Sequence, residues 1–105
     1  MDEYLCLTFV GNAGEAEPAF KTRLTAFWTL LLRSQPDVYD AVFAEARAFG
    51  SEAGRVSRAY MIEASAARAV REAATAAGVE SLELDDNDVY TKYEASGSDW
   101  FQLAH

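Results

Sequence analysis

Residues 34–50, SQPDVYDAVFAEARAFG, set the element order of this chain. Ser34 and Asp37 stand in the Ser-x-x-acid spacing of a capping box, in which hydroxyl and carboxylate each satisfy a backbone N–H at a helix start. Pro36 suits that first turn, where its missing N–H would have had no partner. The spacing predicts a helix beginning here, with Val38, Tyr39, Val42, Phe43, Ala46 and Phe49 on its inner face. A first helix precedes it, because Phe20, Leu24, Phe27, Trp28, Leu31 and Leu32 recur along one helical stripe.

Outward from these two helices the pattern changes period. EYLCLTFV, residues 3–10, places Tyr4, Cys6, Thr8 and Val10 on one face and Leu5, Leu7 and Phe9 on the other. Both faces are largely apolar, as an interior strand requires. The glycines of GNAGEAE end it. On the other side, GSEAG (50–54) reads as a loop, and RVSRAYMIEA (55–64) as a second strand with Val56, Arg58, Tyr60 and Ile62 on one face. SAARAVREAATAA (65–77) has strong helical propensity, and Gly78 follows where a helix C-cap favours glycine. VESLEL (79–84) and DVYTKYEA (88–95) are expected to be the third and fourth strands.

The resulting order is β-α-α-β-α-β-β. It predicts an α+β fold, a two-layer sandwich of about three helices on a four-stranded, mainly antiparallel or mixed sheet. It resembles the ferredoxin-like layout loosely, the hairpin falling at the end of the chain rather than in the middle. One domain is expected over 1–105, with 96–105 a flexible or docked C-terminal segment.

Composition narrows the function classes. The single cysteine, Cys6, excludes an intramolecular disulfide, and no apolar stretch approaches the about 18 residues a membrane helix needs. A soluble, cytoplasmic protein is the expectation. The net charge of −8 is concentrated late in the chain: residues 1–79 hold ten acids against eight bases, residues 80–105 seven acids against Lys92 alone. Nucleic-acid binding rests on Lys and Arg neutralising phosphates, so this balance disfavours it. A basic protein partner is electrostatically easier.

LELDDNDVYTKYEA (82–95) has the alternating acids and amides of a calcium loop. An EF-hand loop needs oxygens at positions 1, 3 and 5, glycine at 6 and Glu at 12, and no frame through Glu83 or Asp85 supplies all of them. Asp85, Asp86 and Asp88 are better read as turn residues that also form a candidate edge facing a basic partner, and no metal or cofactor is expected. In GNAG, Glu15 and Glu17 stand where a bound phosphate would, which argues against a phosphate loop. Cys6 has only Leu5 and Leu7 beside it, so a buried structural thiol is expected rather than a nucleophile. His105 is the only histidine and sits at the end of the sequence, a poor place for a general base. No catalytic set is visible.

The remaining candidates form a polar and aromatic set on the strands: Tyr4, Arg58, Tyr60, Tyr90 and Tyr93. If the helices cover one face of the sheet, the other face carries several of these, and either it is a homodimer or ligand surface, or one helix crosses over or the face is itself the core. Trp100 and Phe101 act as a latch docked on the domain or as anchors for a partner, the latch being favoured by the apolar area two such rings bury. These residues and the acidic quarter point to a small protein-interaction module that self-associates or inhibits a basic protein, as an immunity protein does. The alternatives are a small-molecule binder or minor enzyme with a pocket between helices and sheet, and a structural subunit of a larger complex.

Overall fold

Strand β1 (Tyr4–Val10) lies inside the sheet, with hydrogen-bonded neighbours on both sides, as its two apolar faces require. A computed structural model of the chain describes residues 4–84 and 100–102. Gly11 ends β1 and sends the chain into helix α1 (Glu17–Ser34). A Cβ there would come within 2.6 Å of Val56 Cγ1, so the close approach of the two segments needs glycine. Phe20, Leu24, Phe27 and Leu31 are the buried stripe of α1, as their spacing predicts, whereas Leu32 is 47% exposed. Glu15 accepts from the Asn12 N–H at 2.9 Å and from Arg23 at 2.6 Å. A protein carboxylate thus already occupies the anion position of the GNAG turn.

The stretch 34–50 departs from its expected single helix. Ser34 does not cap a second helix: its hydroxyl donates to Leu30 O and so belongs to the last turn of α1. Helix α2 is only Pro36–Asp40, with Gln35 at its N-cap. Val42–Ala46 then forms strand β2, and Gly50–Glu52, expected as loop, forms a short strand β3. Both pair antiparallel with β4 (Arg55–Glu63), β2 against its second half and β3 against its first. The unpaired N–H and C=O groups on the edge of β4 need partners, and supplying them outweighs the modest helix propensity of this segment.

Helix α3 (Ala67–Ala76) follows β4 after one short turn and ends as expected at Gly78, which has φ +77°. The Val79 N–H donates to Ala74 O and the Gly78 N–H to Thr75 O, the paired bonds of a Schellman cap. Strand β5 (Glu80–Leu84) returns beside β1, and β6 (Trp100–Gln102) pairs with β2. The strand order is β5-β1-β4-β2-β6, with β3 also on β4 and every pairing antiparallel.

The expected two-layer α+β sandwich is therefore present, but the hairpin lies mid-chain, between β2/β3 and β4. That is the split β-α-β-β-α-β layout, extended by β6. The expected fourth strand, 88–95, lies outside the described residues. The helices pack on one face of the sheet. There Leu7, Phe9, Val42, Tyr60 and Ile62 meet Phe20, Leu24, Phe27, Leu31 and Val70 in one core. Each such side chain contributes about 1.5–3 kcal/mol by leaving water. Cys6, Ala46 and Ala59 form a smaller cluster with Met61, and Cys6 is buried, as a structural thiol is expected to be.

Candidate functional site

An irregularity in β2 determines what faces the helices. Val42 lies opposite Ile62, but Ala44 lies opposite Met61 and Glu45 opposite Tyr60, so the register shifts by one residue at Phe43. Strict alternation from Val42 would turn Glu45 away from the helices. The extra residue of the bulge turns it toward them, beside Tyr60, and bulges commonly re-aim a side chain in this way.

Glu45 then holds two donors from β4. Tyr60 donates its hydroxyl proton to Glu45 Oε2 at 2.5 Å, and Arg58 Nη2 lies 3.1 Å from Oε1. Arg58, 8% exposed, is itself fixed by donating from Nε to Ala46 O at 2.9 Å and by lying 4.6 Å over the Phe49 ring. Burial, then the hydrogen bond to Glu45, push the Tyr60 phenol well above its ordinary pKa of about 10. Tyr60 is consequently a neutral donor at any physiological pH.

Aromatic rings surround this trio. Trp28 lies 4.8 Å from Tyr60 and 6.2 Å from Tyr39, centroid to centroid, and Phe9 closes the far side at 5.4 Å from Tyr60. Trp28 Nε1 is buried, with no hydrogen-bond partner among the described residues. Between helices and sheet a cleft of about 210 Å³ opens here, walled by Thr25, Trp28, Thr29 and Leu32 of α1, Tyr39 of α2, and Glu45 and Tyr60. The exposure of Leu32 follows from its place on this rim.

The strand residues singled out from sequence are divided by the fold. Arg58 and Tyr60 come together, but on the helix-covered face, where they belong to the core rather than to a bare sheet face. Tyr4 is on the opposite face, opposite Glu63, with its ring 5.0 Å from Phe43. Tyr90, Tyr93, Asp85, Asp86 and Asp88 lie outside the described residues. Trp100 and Phe101 begin β6, their backbones paired with Ala46 and Glu45. Glu45, Trp28 and Tyr39 were not singled out as site residues. Trp28 and Tyr39 read as ordinary core positions in helical stripes, and Glu45 carries no signal, because nothing local announces the bulge.

A larger groove of about 450 Å³ runs between α3 and β5, lined by Arg68, Arg71, Glu72 and Glu83 among others. Its cations are already matched: Arg68 with Glu72 at 3.0 Å and Arg71 with Glu83 at 3.7 Å. Among the described residues no cluster of three or more His, Cys, Asp or Glu could hold a metal ion, and no helix is long and apolar enough to cross a membrane. Comparison of the chain with protein-family models, with curated proteins and with solved structures gives no match.

Proposed function

We propose that this chain is a small-molecule-binding protein whose ligand enters the cleft between α1, α2 and the β2–β4 hairpin. The observation that carries this reading is a carboxylate turned by a bulge into an aromatic-walled cleft, held there by two donors and still 22% exposed. Ligand sites commonly combine mostly apolar walls with a few fixed polar groups. The test is NMR titration of the full chain with a set of single-ring aromatic fragments. Shifts confined to the Trp28 indole N–H and the amides of Thr25, Thr29, Tyr39 and Glu45 support the cleft. Shifts elsewhere, or none at millimolar fragment, overturn it.

A second reading, a protein-interaction module that pairs with another copy of itself, is favoured by one observation. The Tyr4 and Phe43 rings lie 5.0 Å apart, tilted by 40°, while 39% and 42% exposed, and aromatic residues are enriched at interfaces. Sedimentation equilibrium decides it: a concentration-dependent dimer that Phe43→Ser dissociates supports self-association, and an 11.5 kDa monomer throughout refutes it.

A further inference from the structure

Resting on the cleft as a ligand site, we infer that its ligand is a neutral, single-ring aromatic molecule carrying a hydrogen-bond donor, of the phenol or aniline class, which donates to Glu45. The inference follows from which polar atoms the cleft has left to offer. Tyr60 spends its only proton on Glu45. The Trp28 Nε1 is buried rather than open to the cleft, so it does not serve a ligand. Thr29 donates its hydroxyl proton back to Thr25 O at 2.8 Å, which leaves its oxygen as an acceptor. Arg58 does not line the cleft and is engaged with Glu45, Ala46 O and Arg47 O.

Glu45 is different. A carboxylate has about four lone-pair sites, and Tyr60 and Arg58 use two of them. Glu45 therefore presents an acceptor to the cleft, and a ligand group that reaches it donates. A ligand carboxylate or phosphate would face Glu45, and among the described residues no Lys or Arg lines the cleft. An organic cation gains less than the aromatic walls suggest, since the Arg58 guanidinium 3.1 Å behind Glu45 cancels most of its charge. Size sets the remaining limit. About 210 Å³ is below the roughly 300–1,000 Å³ of pockets for drug-sized ligands, and it suits one ring packed on Trp28 and Tyr39.

The experiment compares four probes on the full chain by NMR: phenol, anisole, benzoate and benzylammonium. Trp100→Phe assigns the two indole N–H signals. Phenol is expected to shift the Trp28 signal with a dissociation constant about tenfold below that of anisole, the low end of what a hydrogen bond to a charged acceptor gives. Benzoate and benzylammonium are expected to bind more weakly than phenol. In Glu45→Gln the preference for phenol over anisole is expected to shrink to about twofold or less. Equal binding of phenol and anisole to the wild-type chain, or tighter binding of either ion, overturns the donor inference while leaving the cleft as a site. Failure of every probe to shift Trp28 overturns both.

Discussion

Removing the Glu45 carboxylate tests the centre of the structural argument. In Glu45→Ala the Tyr60 hydroxyl and the Arg58 guanidinium lose their shared acceptor, and neither can turn to water, being 1% and 8% exposed. A buried hydroxyl deprived of its partner costs about 1–3 kcal/mol, and breaking a buried ion pair about 3–5 kcal/mol. Glu45 is 22% exposed, so solvent weakens the ionic part, and the retained bond from Arg58 to Ala46 O keeps the guanidinium partly satisfied. The expected loss is about 3 kcal/mol, against a total stability of roughly 5–15 kcal/mol for a domain of this kind. In thermal terms that is a fall of about 12–24 °C. Urea unfolding followed by circular dichroism measures it, with Arg58→Met and the double variant completing a thermodynamic cycle. The two singles are expected to be non-additive by about 1–2 kcal/mol, because each removes the other's partner. Additive effects, or a cost below about 1 kcal/mol for Glu45→Ala, would refute the inward-turned carboxylate and the bulge that places it.

Three further outcomes follow from other parts of the fold. The Tyr60 phenol has a folded-state pKa above its unfolded value, so the stability it contributes is complete below about pH 10 and is lost as pH rises beyond it; urea unfolding from pH 8 to 11 should show Tyr60→Phe with a shallower alkaline decline than wild type, and parallel declines would contradict this. Thr8 Oγ1 is buried without a hydrogen-bond partner among the described residues, so Thr8→Val, which replaces the hydroxyl with a methyl of similar size, is expected to raise stability by about 1 kcal/mol; a loss of stability would show that the hydroxyl is satisfied. Ala53 sits at φ +51° in the β3–β4 turn, where Asn is better tolerated than Ala, and Ala53→Asn is expected to raise the melting temperature by a few degrees, whereas a decrease would argue against this turn geometry.

Much of the architecture was legible because its signals are local. The apolar run Leu5–Val10, the stripe Phe20–Leu24–Phe27–Leu31 and the Gly78 cap each follow from a period or a backbone preference within a few residues. They specify β1, α1 and α3 wherever these elements come to lie, and they suffice for the α+β class. Residues 42–46 are the opposite case. Their spacing is compatible with a helical face, and they become a strand only because the edge of β4, more than ten residues further along, offers hydrogen bonds that a short helix after Asp40 could not match. Strand order shares this dependence, since β5 beside β1 and β6 beside β2 are pairings between distant segments. The candidate site was least legible of all. Tyr60 and Arg58 were visible as a pair on one strand face, but which layer that face meets is set by how the helices pack. Glu45 reaches them through a single added residue at Phe43, and in a strand one residue is the difference between the two faces. Local periodicity therefore determined the elements, and long-range backbone pairing alone decided which side chains meet in the cleft.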